Sequence, residues 1–501
     1  MGSAKVQYGD FQTPPALARQ VCRVLREVGV EARSVVEPTC GIGNFLAAAS
    51  EAFPQAAGIG YDVNAGYARM ATTALSAYGD RIAVRRNDFF QHDWTSEFSR
   101  LPEPILVVGN PPWVTNAAIG VVDGTNLPGK RNGDGLRGIE AITGKSNFDV
   151  SEWMLTALAD ALRGRDATIA MLVKEAVARK ALARWWGSDV PIADARIYPI
   201  DAARSFGAAV AACLLLVRFH GESSHRECRI YADLDGDAPV RSLGYRDGRV
   251  VANIEAYDRR RHLGGTDRFR WRSGVKHDCA GVVELKLRDG RLTNGFGEIV
   301  EIEDTMLFPL LKGSDVANGR TGTAMRRLLV TQQRPNEDTS SIETVAPRTW
   351  DYLCRHREYF ARRKSSIYRR RPDFAIFGVG EYTFAPYKVA IAALAKELAF
   401  RKISPAEKPV VFDDTVCFLP AASESDADLM LTLLESPASR EFLASLIFRD
   451  SKRPITVEVL ETLDLAALAA EAGRSDELAA VRAYCPETKQ KNSRRHPSLF
   501  G

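Results

Sequence analysis

Residues 109–113, Gly-Asn-Pro-Pro-Trp, directly follow the apolar run Ile105–Val108. The run predicts a buried strand, so the amide, the prolines and the aromatic ring stand at its carboxyl end. Asn110 Oδ1 and the Pro111 carbonyl are two acceptors beside a backbone that lacks N–H groups. They could hold both hydrogens of a ring amine and localise its lone pair, while Trp113 stacks on the ring. These residues predict activation of a planar amine, although a stiff strand exit is the plain alternative.

A glycine turn upstream favours the chemical interpretation. The segment Val35–Gly43 reads as a short apolar strand that runs into a glycine turn, and an alanine-rich helix follows it. This pattern predicts the first βα unit of a doubly wound sheet, in which Gly41 and Gly43 let a cofactor approach the backbone. The G-x-G-x-x-G pattern of dinucleotide dehydrogenases is not met, because Leu46 stands where the third glycine would be. A P-loop pattern is absent as well.

Two further predicted strands end in acids. One strand, residues 57–62, ends at Asp62, which is placed to bind both hydroxyls of a ribose. Another, residues 84–88, ends at Asp88, which would accept a hydrogen bond from the amine of an adenine, and Phe89 would lie against that ring. Four strand ends in this order favour an adenosyl cofactor and methyl transfer over hydride transfer.

At these residues the chain resembles the γ group of amino-methylating DNA methyltransferases, of TaqI-like and Eco57I-like type, which use S-adenosylmethionine. The resemblance implies an α/β fold, with a Rossmann-like S-adenosylmethionine-dependent methyltransferase domain followed by a C-terminal α+β DNA-recognition domain. The implied catalytic residues are Asn110, Pro111, Pro112 and Trp113. The implied cofactor-binding residues are Thr13, Glu37, Thr39, Gly41, Gly43, Asp62, Asp88, Phe89 and Asn110.

The resemblance also implies how the reaction proceeds. The segment 11–15 would cap the cofactor, and the target base would rotate out of the duplex to stack on Trp113 and Phe206. Trp113 departs from the Tyr or Phe of many relatives, and a phenylalanine beside a strand, like Phe206, is also typical of a core. Asn110 favours the adenine N6 amine, with cytosine N4 methylation and RNA or protein-glutamine methylation as alternatives. Cytosine C5 methylation would need a nucleophilic cysteine, usually in a Pro-Cys dipeptide, which the sequence lacks. A DNA-binding module that only senses the cofactor is the noncatalytic alternative.

The net positive charge of the chain is small, but basic residues are concentrated in one segment. The formal net charge is +4, but the segment 351–371 holds eight Lys or Arg residues interleaved with aromatic residues. Such a segment suits a phosphate backbone, although a charge run is often only a solvated face. The glycine-rich loop 126–146 is either a flap over the site or a solvated insertion. The predicted DNA-binding residues in the two segments are Lys130, Arg131, Arg362, Arg363, Lys364, Arg369, Arg370 and Arg371.

A change of composition predicts the domain organisation. We expect a catalytic domain over residues 1–220, a target-recognition domain over 221–485 and a disordered basic tail over 486–501. Asp278 with Glu284–Lys286 is a poor match to a metal-nuclease pattern, since this stretch alternates as an ordinary strand. We also expect no N-terminal nuclease, because the chain begins almost at the segment that resembles the cofactor cap.

The cysteines, the apolar runs and the N-terminal sequence indicate which cellular compartment and which partners to expect. Eight scattered cysteines without a C-x-x-C pair indicate neither a disulfide framework nor a metal site. No apolar run of about 18 residues and no signal pattern occur, so we expect a cytoplasmic, nucleoid-associated protein of a bacterial or archaeal cell. The expected partners are double-stranded DNA and a cognate restriction endonuclease or other defence-system subunit. We expect the chain to act as a monomer, away from membranes.

Overall fold

The computed structural model describes residues 12–114, 149–221, 225–322 and 325–484. The chain divides into two compact units, and the division falls between Ile254 and Glu255. Several predictions lie outside the described residues: the loop 126–146 with Lys130 and Arg131, and the tail 486–501. Within the described ranges, no helix has the length and apolar character needed to cross a bilayer.

The first unit is built on one large sheet. Its strands are Ser34–Glu37 (β1), Ala57–Asp62 (β2), Ile82–Arg86 (β3), Ile105–Gly109 (β4), Ala167–Lys174 (β5), Asp194–Ile200 (β6), Ala212–Phe219 (β7), Glu227–Ile230 (β8), Arg241–Arg246 (β9) and Arg249–Val251 (β10). Its helices are Pro15–Glu27 (α1), Asn44–Ala52 (α2), Ala65–Ala74 (α3), Trp94–Ser99 (α4), Val150–Ala161 (α5), Glu175–Gly187 (α6) and Ala202–Phe206 (α7), with a 3₁₀ turn at Ser76–Arg81.

The strand order identifies the fold class. The ten strands lie in the order β10-β9-β8-β6-β7-β5-β4-β1-β2-β3. β1 to β5 are parallel, and β7 runs antiparallel between β5 and β6. A dinucleotide-binding sheet has the order 3-2-1-4-5-6 without this inserted strand. The first unit therefore has the predicted Rossmann-like methyltransferase fold.

Apolar strand runs and amphipathic helices explain why these segments form the sheet and its cover. β4 and β5 are buried over almost their whole length, as expected for central parallel strands covered on both faces. α1 begins with Pro15 in its first turn, which fits a helix start, and buries one face of leucine, valine, alanine and cysteine side chains. That face packs against α2 beside the sheet.

The first unit extends beyond the boundary expected at residue 220. β8 pairs in parallel with β6, and β9 and β10 continue the sheet as antiparallel neighbours. Charged residues recur along these outer strands: Glu227 and Arg229 in β8, Arg241 and Arg246 in β9, and Arg249 in β10. Charged edge strands do not show the apolar run of central strands, so their sequence is typical of surface segments. The polar stretch after residue 220 is thus a connection within the unit.

The second unit is an α+β assembly with two sheets, whose strand orders are β11-β19-β16-β17 and β13-β12-β15-β14-β18. Its strands are Arg272–Ser273 (β11), Glu284–Arg288 (β12), Arg291–Thr293 (β13), Leu307–Leu311 (β14), Arg326–Leu329 (β15), Tyr387–Ala392 (β16), Arg401–Ile403 (β17), Val411–Phe412 (β18) and Val416–Ala421 (β19). Its helices are Ile254–Arg260 (α8), Ala280–Val283 (α9), Gly313–Ala317 (α10), Ile342–Val345 (α11), Pro347–Arg355 (α12), Arg357–Ala361 (α13), Glu424–Leu434 (α14), Pro437–Leu446 (α15), Val457–Leu460 (α16), Leu465–Glu471 (α17) and Ser475–Ala480 (α18). Short 3₁₀ turns lie at Arg261–Leu263, Asp304–Met306, Ser366–Tyr368 and Glu381–Phe384.

Candidate active site

The carboxyl ends of four parallel strands bring the predicted site residues of the first unit to one edge of the sheet. β1 and β4 are hydrogen-bonded neighbours, although β2 and β3 follow β1 in the sequence, so the strand order reverses between them. Ligands of open α/β sheets bind in the crevice at such a switch point. Glu37 ends β1 on one side of the crevice, and Asn110 follows β4 on the other.

The glycine turn after β1 has the backbone that its sequence predicts. Gly41 and Gly43 have φ angles of +50° and +87°, in the region that glycine adopts most readily. A Cβ at Gly41 would also clash with the side-chain oxygen of Gln12, which accepts a hydrogen bond from the Ile42 N–H at 3.1 Å. Asn44 donates from Nδ2 to the Thr13 carbonyl at 2.8 Å. The segment that includes residues 12 and 13 is therefore held against the turn.

Two carboxylates organise the same turn from different sides. Asp62, at the end of β2, accepts from the Gly41 N–H at 2.8 Å and from the Asn64 N–H at 2.7 Å. Glu37 is buried and accepts from the Leu46 N–H at 2.9 Å. Burial raises the pKa of the Glu37 carboxyl well above its ordinary range, and the nearby charge of Asp62 raises it further.

The end of β3 presents Asp88 and Phe89 in different environments. The Asp88 carboxylate accepts from the Phe90 N–H at 3.0 Å and from Gln91 Nε2 at 3.1 Å, and the residue is only half-buried. Phe89 is buried, with its ring centroid 4.9 Å from that of Trp94. Asp88 thus lies at the accessible edge, whereas Phe89 also belongs to an aromatic cluster beneath it.

The loop after β4 is anchored through its tryptophan. The Trp113 indole N–H donates to the Leu172 carbonyl of β5 at 3.1 Å, and the ring is almost entirely buried. Its centroid lies 5.1 Å from that of Phe206, which ends α7, in an edge-to-face arrangement. The two aromatic residues predicted to contact a target base, far apart in the sequence, are therefore adjacent. Pro111 is buried in the same loop, and Pro112 is half-buried.

The structure adds an ion pair that the sequence analysis did not identify. Lys174 ends β5, and its Nζ donates to the Trp113 carbonyl at 3.0 Å and to Asp149 Oδ2 at 2.7 Å. Asp149 also caps α5, accepting from the Ser151 N–H at 3.1 Å, and Val150 N–H donates to the Val114 carbonyl at 2.9 Å. The sequence features that could have indicated this pair are a lysine at the end of a predicted strand and an aspartate just before a predicted helix. The pair connects the loop after β4 to β5 and to the start of α5.

These residues fit an adenosyl cofactor. The glycine backbone excludes side chains from the turn, and the carboxylates of Glu37 and Asp62 are fixed beside it by main-chain N–H groups. Oriented acceptors of this kind suit the hydroxyl and cationic groups of such a molecule. The described residues contain no group of three or more His, Cys, Asp or Glu side chains that could hold a metal ion.

A curated relative decides the family. The chain is 44% identical to the type II methyltransferase M.NspV of Nostoc sp. (strain ATCC 29411 / PCC 7524) over 469 residues, which cover 93% of this chain and 98% of the relative. The chain belongs to the type II methyltransferases. Its methyl donor is S-adenosylmethionine. The fit of residues 37 to 62 to an adenosyl group agrees with that donor.

Other comparisons of this methyltransferase are more distant. It is 32% identical to the type II methyltransferase M.XamI of Xanthomonas campestris pv. amaranthicola over 125 residues, covering 24% of this chain and 22% of the relative. The solved structure of the type IIL restriction-modification enzyme MmeI in complex with DNA aligns with a TM-score of 0.48 at 14% identity, covering 92% of this chain and 68% of that one. No protein-family model matches the sequence.

The predicted DNA-binding residues in the second unit of the methyltransferase differ in how far their side chains are exposed. Arg363 is half-buried, and its guanidinium donates to the carbonyls of His277 and Ala375 and lies 3.7 Å from the ring centroid of Tyr368. Burial lowers the pKa of Arg363. Its donors serve the interior of the second unit, so it is poorly placed for a phosphate. Of the other predicted DNA-binding residues, five have exposed side chains: Arg362, Lys364, Arg369, Arg370 and Arg371.

Proposed function

We propose that the chain is a site-specific DNA methyltransferase that methylates the N6 amine of adenine within a restriction-modification system. The observation that carries the proposal is the position of the Asn110–Trp113 loop. It leaves β4 at the switch point of the sheet, opposite the glycine turn and beside Phe206. The extensive identity to a type II methyltransferase supports the same reaction class.

Each residue of the loop has a proposed role. Asn110 Oδ1 and the Pro111 carbonyl accept hydrogen bonds from the two amine hydrogens, which leaves the nitrogen lone pair free to attack the methyl group. Trp113 and Phe206 contact the extruded base, and stacking contributes roughly 1–3 kcal/mol toward the cost of extrusion. S-adenosylmethionine, when bound, supplies a methyl group on a positively charged sulfur. Glu37, Thr39, Gly41, Asp62 and Asp88 hold that donor in the crevice, with Thr13 capping it and Phe89 against its adenine.

The second unit is proposed to bind double-stranded DNA and to select the target sequence. Exposed cations on its surface, from Arg362 to Arg371, would contact phosphates, which position the duplex without reading its sequence. The proposed setting is the cytoplasm of a prokaryotic cell, with a cognate restriction endonuclease as the functional counterpart. One chain that carries both units would act on each strand as a monomer.

The first test identifies the modified nucleoside. Purified protein is incubated with S-adenosylmethionine and mixed-sequence duplex DNA, and the digested nucleosides are analysed by mass spectrometry. N6-methyladenine is the expected product. N4-methylcytosine would overturn the base assignment while retaining the site. No methylated deoxynucleoside, together with methylated RNA or glutamine in parallel incubations, would overturn DNA as the substrate.

A variant then separates catalysis from binding. Asn110→Ala removes one amine acceptor, so methylation should fall by about 100-fold or more, as when one positioned hydrogen-bonding group is lost from an active site. Duplex binding should change little, whereas donor binding is measured separately because Asn110 is also assigned to the cofactor site. Asn318→Ala, at an exposed asparagine of the second unit, is the matched control. Full activity of Asn110→Ala would contradict the assigned role.

A further inference from the structure

An exposed phenylalanine in the second unit is held in a fixed position on the surface. The side chain of Phe296 is 47% exposed, although single exposed apolar residues are common in proteins. Its ring centroid lies 4.6 Å from that of Tyr359, which is itself 36% exposed. The ring is also nearly parallel to the His356 imidazole, at a centroid distance of 6.0 Å and an interplanar angle of 4°. The three rings form a small aromatic platform.

The loop that carries Phe296 is rigidly built. Asn294 is buried, and its Oδ1 accepts from the Phe296 and Glu298 N–H groups, both at 3.0 Å. Its Nδ2 donates to Glu298 Oε2 at 2.6 Å and to the Tyr352 hydroxyl at 3.2 Å. Glu298 in turn lies 2.9 Å from His356 Nε2. A polar network centred on the buried Asn294 therefore fixes the direction of an apolar side chain that it does not cover.

His356 and Tyr359 belong to the segment 351–371, in which Lys and Arg residues outnumber the acids. The guanidinium carbon of Arg362 lies 5.8 Å from the Tyr359 ring centroid, and Arg355 is exposed at the end of α12, next to His356. Two acids lie close by in this part of the unit: Glu298 is paired as above, and Glu358 is paired with Arg362 at 2.7 Å. The pKa of Glu298 is lowered by the hydrogen bond from Asn294 and then by the charges of His356 and Arg355. An anionic partner with flat apolar faces matches this combination.

We propose that this platform, Phe296 with Tyr359 and His356, contacts the bases of the duplex and contributes to target selection. Phosphates would lie against Arg355 and Arg362, and the exposed ring of Phe296 would stack on a base at a deformed step of the duplex, as aromatic side chains stack on bases in proteins that bind nucleic acids. The inference rests on the proposed function, because it takes DNA as the substrate. It assigns to one side chain a part in recognition that the basic segment alone does not supply.

The test uses the full chain and a fluorescein-labelled duplex that contains the methylated sequence mapped for the wild type. Loss of one stacked aromatic typically weakens binding by roughly 10- to 100-fold, so Phe296→Ala should raise the Kd for this duplex by that factor. Phe296→Trp should retain binding. Phe377→Ala is the matched control, because Phe377 is 48% exposed in the same unit and makes no ring contact within the part of the chain that the structure describes. Affinity for S-adenosylmethionine should stay unchanged in all three variants.

The outcomes separate this inference from the proposed function. Wild-type methylation of DNA with unchanged duplex affinity in Phe296→Ala would overturn the inference alone, and the platform would then serve a protein partner or none. Absence of DNA methylation by the wild type would overturn both. Weakened binding in Phe296→Ala together with an altered melting temperature would be resolved by Phe296→Leu, which keeps apolar volume: recovery of affinity with leucine would contradict stacking, and continued weakness would support it.

Discussion

Removal of the Lys174 ammonium tests whether the ion pair beside the catalytic loop positions that loop. Lys174→Met keeps most of the side-chain volume but takes away the donor to the Trp113 carbonyl and the counter-charge of Asp149. The two side chains are 23% and 11% exposed, so water replaces the lost partner only in part. The loop then loses one of its anchors, while the indole bond to Leu172 remains.

The expected magnitude follows from that partial burial. Breaking a fully buried pair by removing one partner costs about 3–5 kcal/mol, whereas an exposed pair contributes about 0–1 kcal/mol. An intermediate site should lose about 2 kcal/mol of unfolding free energy in the first unit. A loop displacement of about 1 Å lowers a catalytic rate about 100-fold, so kcat should fall between 10- and 100-fold. The KM for S-adenosylmethionine should change little, because the glycine turn is held by other contacts.

The assay combines steady-state methylation kinetics with thermal unfolding, and its control lies in the same unit. Lys180→Met breaks the pair with Glu152, in which the lysine is 43% and the glutamate 12% exposed. It should lower the melting temperature but leave kcat nearly unchanged, because the pair joins α5 and α6 rather than the loop after β4. Asp149→Asn completes a double-mutant cycle, in which the effects of the two substitutions should be clearly less than additive. A Lys174→Met variant that matches Lys180→Met in both kcat and melting temperature would refute the positioning role.

Three further perturbations test the donor site and the second unit. Gly41→Ala should raise the Kd for S-adenosylmethionine about 10-fold or more, measured by calorimetry. The added methyl group would clash with Gln12, and a left-handed φ costs a non-glycine residue about 1–2 kcal/mol. Gly164→Ala, at φ +74° with no atom within 4 Å of the added Cβ, is the control. The raised pKa of Glu37 predicts that affinity for the cationic donor increases as pH rises from the ordinary carboxyl range through the folded pKa, and a flat profile shared with Glu37→Gln would contradict this. Burial lowers the pKa of Lys388 to about 7 from 10.5, so folding is penalised below pH 7 and stability rises with pH between those values. From pH 7 to about pH 9 the wild type should gain about 2 kcal/mol of unfolding free energy relative to Lys388→Met in denaturant titrations, and equal slopes would exclude the effect.

The clustering of the predicted site residues could be inferred from the sequence because it follows from strand ends. Each of Glu37, Asp62, Asp88 and Asn110 ends or follows a parallel strand. Parallel strands bring their carboxyl ends to one edge of a sheet, so spacing along the chain translates directly into proximity. The contact of Trp113 with Phe206 needed the family resemblance, since no local pattern relates two aromatics in different segments.

The parts that were missed depend on partners chosen by the tertiary fold. Lys174 and Asp149 lie 25 residues apart, and their pairing requires that β5 and the start of α5 flank the same loop. β8 is only four residues long and its charged residues alternate with buried ones, so its sequence alone resembles that of a surface segment, and only its pairing with β6 and β9 identifies it as part of the sheet. For the Lys174–Asp149 pair and for β8 alike, the structure depends on which segments become neighbours in the fold, and the sequence of each segment alone does not contain that information.

The second unit shows the same limit in its charged and apolar residues. Arg363 and Arg362 are adjacent in a uniformly basic segment, yet one donates to interior carbonyls and the other faces solvent. Phenylalanine is a residue type expected in a core, but Phe296 projects outward. Asn294 accepts hydrogen bonds from two backbone N–H groups of the turn that carries Phe296, and these bonds fix the turn. Positive charge predicts affinity for a phosphate backbone, whereas selection of a sequence depends on which side chains are held toward the bases. Under the proposal that the Phe296 platform contacts bases, substitutions of Asn294, whose side chain holds the turn that carries Phe296, should therefore alter target selection without changing the net charge of the protein.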